Sequence, residues 1–333
     1  MSNSETETIL SVKDLCMYFP LKQTLFDIAT RKPVSYIKAV DGVSFQVDKG
    51  ETIGLVGESG CGKSTLSKAL IRLYDPTSGN IRFEGEDIAK LPQHKLQNLR
   101  FHMQMVFQDP YSSLNPKMTI RQIFYEILDV HKLCKKDERE ARTKELLNMV
   151  GMPEYALDRY PGEFSGGQRQ RIGIARALAM NPEFLIADEP VSALDMSIQA
   201  QVINLMQELK EKLNLTMLFI SHDLRVVEYI SDRVIVMYLG VIVETAPTDA
   251  LFEHPAHPYT DILIKAAPVM NPYDKEREYV IEGETPSPIH VPSGCRFHPR
   301  CPFATEKCKT EVPELHEIAP GRSVACHYPR YSE

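Results

Sequence analysis

No stretch of this chain stays apolar for long. The longest run, residues 234–243 (VIVMYLGVIV), is ten residues, about half of the roughly 20 that a membrane-spanning helix needs. A basic surplus is also missing. Lys and Arg number 38 against 45 Asp and Glu, a formal net charge of −7, and the pI is near 5.9. That balance speaks against a general nucleic-acid binder, so no nucleic acid is expected among the partners. The first ten residues, MSNSETETIL, lack the basic start and apolar core of a secretory leader. A cytosolic protein is therefore expected, and any work at a membrane would need partners that span it. Internal repeats and low-complexity tracts are absent too. What the chain does have is 333 residues, 43% hydrophobic and 25% charged, enough to bury a sizeable core. In a reducing compartment its seven cysteines are not expected to pair.

Apolar and polar residues alternate over 9–19 and 39–47, which predicts two strands. Residues 21–37 between them are irregular and read as an insertion or a long hairpin. Continuous short apolar runs at 52–56, 184–187, 216–220 and 233–237 predict buried strands. Helices are predicted over 63–73, about 94–103, parts of 118–150, 172–179 and 198–213. The mixed-charge stretch 135–144 reads as a solvated helix face. Strands alternating with helices imply an α/β fold with a largely parallel sheet. From residue 253 proline becomes frequent and periodicity fades, so 253–333 is expected to be a separate, loop-rich C-terminal extension.

Residues 57–64, GESGCGKS, match GxxxxGK[ST] between a predicted strand and a predicted helix. Gly57, Gly60 and Gly62 let backbone N–H groups turn inward around phosphate oxygens, with Ser59 and Cys61 completing the loop. The helix that follows presents its positive end to the same place. Lys63 adds a point charge on the outer phosphates, Ser64 can hold Mg²⁺ through its hydroxyl, and Thr65 can bond a nearer phosphate. A second pattern is the apolar run 184–187 ending in Asp188 and Glu189. A buried strand releases such acids at its carboxyl edge, where open α/β sheets bind ligands. Asp188 suits Mg²⁺, directly or through water, and Glu189 suits a general base for a water aligned with the γ-phosphate. The third is FSGGQ at 164–168, where Ser165, Gly166 and Gly167 precede a helix start and make a second anion site. One nucleotide touches both loops most simply when two protomers face head to tail.

With Gln108 after an apolar strand, SALD at 192–195 and His222 directly after another strand, these motifs in this order resemble an ABC-type nucleotide-binding subunit. The resemblance implies an α/β P-loop NTPase cassette over 9–252, with a RecA-like core, an antiparallel β part and a helical subdomain at about 109–165. It implies ATP and Mg²⁺ as cofactors. Gln108 would touch Mg²⁺ and the attacking water, and Asp195 would communicate across the dimer. His222 would contact the γ-phosphate and help place Glu189. Ser165, Gly166, Gly167 and Gln168 would meet the nucleotide of a partner. Phe19 matches the aromatic that stacks on adenine, with Tyr18 as the alternative. Phe164 stands where the family's commonest signature has Leu.

Longer segments, FQDPYSSLNP at 107–116, YPGEFSGGQRQR at 160–171, SALDMSIQAQV at 192–202 and HPYT at 257–260, are similar to the oligopeptide/dipeptide importer subfamily, above all its F-type ATPase subunit. The resemblance implies ATP hydrolysis driving peptide import from the cytoplasmic face of the cell membrane, as a peripheral subunit. Its implied partners are a homologous D-type ATPase subunit, two transmembrane permeases and an extracytoplasmic solute-binding protein. Tyr111 and Leu114 would meet a coupling helix of a permease. Nickel and other small-solute importers share this architecture and remain an alternative. Non-transport ABC ATPases are another, although they usually carry two cassettes or a coiled-coil insertion, and this chain has neither.

Cys295, Cys301, Cys308 and Cys326 lie among prolines and basic residues of the extension. Four thiols in a segment with little core suggest a metal. Intervals of five, six and seventeen residues do not match paired zinc patterns, and four thiolates also suit an iron–sulfur cluster. The extension resembles that of the subfamily, some of whose members carry a [4Fe–4S] cluster there. Zinc and four unliganded thiols are the alternatives.

Overall fold

A computed structural model describes residues 7–23, 30, 32–109, 113–266 and 285–330. In chain order the elements begin with β1 (Thr8–Pro20), β2 (Tyr36–Asp48), β3 (Thr52–Val56), α1 (Lys63–Leu70), β4 (Ser78–Phe83), β5 (Glu86–Asp87), α2 (Gln93–His102) and β6 (Met103–Val106). Next come α3 (Ile120–Val130), α4 (Arg139–Met149), α5 (Gly166–Leu178), β7 (Phe184–Asp188), α6 (Met196–Leu213) and β8 (Thr216–Ile220). The chain ends with α7 (Leu224–Ile230), β9 (Arg233–Tyr238), β10 (Val241–Pro247), α8 (Thr248–Glu253), α9 (Pro258–Ala266), α10 (Glu306–Thr310), β11 (His316–Ala319) and β12 (Arg322–Val324). Two compact units result: Met1–Asp48 with Ile53–Leu91 and His222–Glu333, and Lys49–Thr52 with Pro92–Ser221.

The first unit holds two sheets. In one, β1 and β2 pair antiparallel from Thr8↔Asp48 to Pro20↔Tyr36, and β4 and β5 complete the order β2-β1-β4-β5. Residues 21–35 are thus the connection of a hairpin, two residues shorter than the expected 21–37 because Tyr36 and Ile37 already pair in β2, and 24–29 and 31 lie outside the described residues. In the other, β3 runs parallel to β9, from Ile53↔Arg233 to Val56↔Val236. Antiparallel β10 follows β9 through a turn at Leu239 and Gly240, both with positive φ. The ten-residue apolar run is this hairpin, folded at its middle. Among the described residues no helix is long and apolar enough to cross a membrane.

Two expectations shift in this unit. Helix α1 ends at Leu70 rather than at residue 73. The reason is Arg72, which takes a left-handed turn (φ 55°) and sinks its guanidinium onto the Ile88 carbonyl and Asp75. The extension is also not separate. Strand β12 pairs with β10 at Glu244↔Val324 and Thr245↔Ser323, and β11 pairs with β12. A sheet edge offers unpaired N–H and C=O groups, and a proline-rich segment with little core gains one by adding strands there.

The second unit is built on parallel β6, β7 and β8, registered Met103↔Phe184 to Val106↔Ala187 and Phe184↔Thr216 to Asp188↔Ile220. All five positions of β7 and of β8 are buried, so these strands read as continuous apolar runs rather than alternating ones. Helix α3 buries Ile120, Ile123, Phe124 and Leu128 on one stripe and starts with a capping box between Thr119 and Gln122. The charged stretch 135–144 becomes helical only from Arg139. Two of its half-buried side chains form ion pairs with exposed carboxylates, Arg139 with Asp129 at 2.6 Å and Lys144 with Glu154 at 2.9 Å.

Candidate functional site

In the first unit the buried strand β3 runs into Gly57 and the loop that precedes α1. Gly57, Gly60 and Gly62 all have positive φ (150°, 80° and 109°). A Cβ on Gly57 would lie 2.2 Å from the Met237 carbonyl oxygen, and one on Gly62 would lie 2.1 Å from that of Ala39. Both obstructions are backbone, so only glycine fits. Lys63 is 5% exposed and its ammonium lies within the ring, donating to the carbonyls of Gly57 (2.7 Å) and Glu58 (3.0 Å). Gly62 provides no side-chain cap to α1, and a helix start without a side-chain cap suits an anion. Ser64 and Thr65 are half-buried in that turn, Cys61 is buried, and Ser59 and Gly60 are exposed. The arrangement is a cradle of loop backbone closed around one lysine.

Glu58, which the motif treats as a variable position, is held from far along the chain. Arg300 forks onto its carboxylate, Thr285 donates to it, and its N–H donates to the Tyr259 hydroxyl. No local signal points to these partners. At the start of the same unit, Tyr18 and Phe19 are half-buried on β1. The Tyr18 hydroxyl donates to Asp41, and burial together with that bond pushes the phenol up. Phe19 meets Tyr74 edge-on, with ring centroids 5.6 Å apart. His222 is exposed immediately before Asp223, the N-cap of α7.

In the second unit Asp188 closes β7 at 3% exposure. Glu189 follows with φ 47°, a left-handed turn for a non-glycine residue that costs of order 1–3 kcal/mol. Its N–H donates to the Ile220 carbonyl (2.9 Å). Gln108 Nε2 donates to Glu189 Oε2 at 2.8 Å, so two residues 81 apart in sequence meet. A carboxylate oriented by an amide donor accepts protons only, which suits a base.

Ser165 is the N-cap of α5, accepting from the Gln168 N–H (3.3 Å) while Gln168 accepts from the Ser165 N–H (3.0 Å). Gly166 and Gly167 are therefore the first helical residues rather than a loop before the helix. Helix α5 starts six residues ahead of the predicted 172. The period is hidden there because Arg169 and Gln170 are polar yet buried. A Cβ on Gly167 would lie 2.2 Å from Cγ2 of Ile198, so this glycine lets α5 approach α6. Phe164 is buried, in keeping with an apolar residue at that position. Asp195 caps α6, and the Ile198 N–H and Ser197 hydroxyl hold its carboxyl below the usual range. Tyr111 lies outside the described residues. Leu114 is 3% exposed, a packing residue rather than an open docking one, and the carbonyl of neighbouring Ser113 accepts from Arg176 on α5.

The four extension cysteines line one cavity together with His257, Phe297 and Tyr328. Burial pushes the thiols of Cys295 and Cys301 up, and that of Cys326 up to about 11. No three of these sulfurs lie within 4.8 Å of one another. A closed tetrahedral zinc site would need edges of about 3.8 Å, given Zn–S bonds near 2.3 Å.

Residues 40–192 match the family model described as ABC transporter, and 243–308 match the one described as oligopeptide/dipeptide transporter, C-terminal region. The oligopeptide transport ATP-binding protein AppF of Bacillus subtilis is 54% identical over 98% of this chain and 99% of its own. The probable peptide ABC transporter ATP-binding protein y4tS of Sinorhizobium fredii is 52% identical over 97% of this chain and 90% of its own. Among solved structures, cbiO1 of Clostridium perfringens, part of the ABC transporter complex cbiONQ, matches with TM-score 0.63 and 27% identity over 74% of this chain and 91% of that one. The dimeric cassette MJ0796 in a post-hydrolysis state with ADP and Pi matches with TM-score 0.62 and 27% identity over 72% of this chain and 99% of that one.

Proposed function

This chain belongs to the ABC transporter ATP-binding proteins, in their oligopeptide/dipeptide branch, and from that premise we propose how its residues divide the work. It is an ATPase subunit whose hydrolysis of ATP powers import of oligopeptides or dipeptides, and it acts as a dimer of cassettes with transmembrane permeases. The observation that carries the site assignment is the glycine cradle closed around Lys63. An incoming triphosphate replaces the two loop carbonyls as partner of the ammonium, and the first turn of α1, with Ser64 and Thr65, grips its oxygens. Ser64, Asp188 and Gln108 would hold Mg²⁺, which would neutralise charge developing on the phosphates. Glu189, oriented by Gln108, takes the proton of the attacking water, and His222 contacts the γ-phosphate. Phe19 stacks on adenine, a choice supported by the commitment of the Tyr18 hydroxyl to Asp41. Ser165, Gly166, Gly167 and Gln168 close on the nucleotide of the facing subunit, across which Asp195 communicates.

The cassette spans 9–252, with its helical subdomain at about 109–165, and 253–333 is the branch-specific extension. The facing subunit is a homologous D-type ATPase, and an extracytoplasmic solute-binding protein delivers the peptide. The chain works at the cytoplasmic side of the membrane. The four thiols, gathered around one cavity, are the residues that would hold a [4Fe–4S] cluster or zinc. Iron and zinc analysis of anaerobically purified protein decides this, and absence of iron removes the cluster.

Replacing Glu189 by Gln keeps the size and the Gln108 contact but removes the base. Hydrolysis by the assembled transporter falls at least about 100-fold while ATP binding persists. Undiminished turnover in that variant would show that another group activates the water.

A further inference from the structure

Five residues, RFHPR, lie between Cys295 and Cys301. Their backbone is framed within the extension. Cys295 N–H donates to the Cys308 carbonyl (2.8 Å), His298 N–H to that of Cys295 (3.0 Å), and Arg300 N–H to that of Phe297 (3.0 Å). Phe297 is fully buried and packs against Tyr238 and Tyr259, each with ring centroids 5.3 Å away. With that anchor fixed, the two arginines of the segment reach different targets.

Arg300 makes a two-pronged bond to Glu58, Nη1 to Oε2 at 2.9 Å and Nη2 to Oε1 at 3.0 Å. Arg296 donates to the Leu239 carbonyl and to Asp41, whose other oxygen accepts the Tyr18 hydroxyl. Both ion pairs are sheltered, with side-chain exposures of 6% and 19% for Arg300 and Glu58, and 14% and 15% for Arg296 and Asp41. Burial alone would raise both carboxyls. Arg300 and Thr285 outweigh it at Glu58, and Tyr18 and Arg296 at Asp41, so both stay below the usual carboxylate range. Glu58 is part of the cradle, and its own carbonyl accepts from Lys63. Tyr18 is the neighbour of Phe19 in β1.

We propose that the C-terminal extension positions both ends of the nucleotide pocket, the phosphate loop through Arg300 and Glu58, and the adenine-side strand through Arg296, Asp41 and Tyr18. The proposal rests on the reading of residues 57–65 and Phe19 as the ATP site. Neither arginine is a catalytic residue. Each holds a recognition element in one arrangement, which reduces the ordering that nucleotide binding must impose. A bidentate, charge-assisted bond does this with more directional control than a single charge can.

Calorimetric titration of the full chain with Mg-ATP and with inorganic tripolyphosphate separates the two arms. Arg300→Gln weakens both ligands by about tenfold. Arg296→Gln weakens ATP a few-fold and leaves tripolyphosphate unchanged, because its arm acts at the adenine end. Glu58→Gln reproduces Arg300→Gln, the double variant is no worse than either single one, and Arg300→Lys recovers part of the loss. In the assembled transporter KM for ATP rises with Arg300→Gln while kcat holds. Wild-type affinity in Arg300→Gln, or losses that simply add in the double variant, overturns the positioning role if Lys63→Ala still abolishes binding. Normal ATP binding by Lys63→Ala instead overturns the site reading beneath it. Should Arg300→Gln fail to fold, Glu58→Gln, which keeps the packing volume, carries the same expectation.

Discussion

Two helix starts in this molecule carry glycines beside a polar residue, and they use them for different ends. In the cradle before α1, Gly57 and Gly62 have positive φ, and any Cβ there would run into the backbone carbonyl of Met237 or Ala39. Its N-cap, Gly62, makes no side-chain cap bond, which leaves that position open to an anion. At α5 the glycines are ordinary helical residues. The cap position is taken by Ser165 in a reciprocal capping box, and Gly167 is small because Ile198 of α6 sits against it. The first start has a backbone path that only glycine can follow. The second is already satisfied within its own chain, so it suits a surface that meets a ligand late, when a facing subunit presents one. Glycine is demanded by backbone conformation in one case and by packing between helices in the other.

Substitution breaks or sharpens that contrast. Gly57→Ala carries the larger effect. The clash is with a backbone oxygen and φ is 150°, so no side-chain movement relieves it. Loss of ATP affinity of at least about 100-fold is expected in titration calorimetry, and no second-site change to a side chain should restore it. Near-normal affinity would mean that the cradle is not as rigid as its contacts require. Gly167→Ala carries the smaller effect, a stability loss of about 1–3 kcal/mol from overpacking. The obstructing atom belongs to a side chain, so Ile198→Ala in the same molecule should recover most of it in thermal or urea melts. Failure of that rescue would place the need for glycine in backbone conformation after all, and the two starts would no longer differ.

Much of the fold is legible along the chain. The strands 52–56, 184–187 and 216–220 are short apolar runs, and β3, β7 and β8 coincide with them to within a residue. Burial on both faces leaves no room for polar residues, which makes such strands easy to read. The cradle is legible because its chemistry is local: phosphate-binding turns, a lysine and a helix start within eight residues. The start of α5 is not, since buried Arg169 and Gln170 break the apolar period. The role of Leu114 is another miss. A leucine in a loop-like segment looks available to a partner, but it is buried. The docking of the extension is the largest omission, because proline-rich sequence gives no periodicity to match against a sheet edge.

Local pattern was enough for the α/β class and the nucleotide-binding motifs, and the family followed from what those motifs resemble, because each motif depends on residues that act within a few positions of one another. Tertiary structure alone decided that Gln108 meets Glu189 across 81 residues and that Arg300 grips Glu58 across 242. A hydrogen bond needs a donor and an acceptor about 3 Å apart, and nothing in a linear order of amino acids reports such a distance until the strands between have paired.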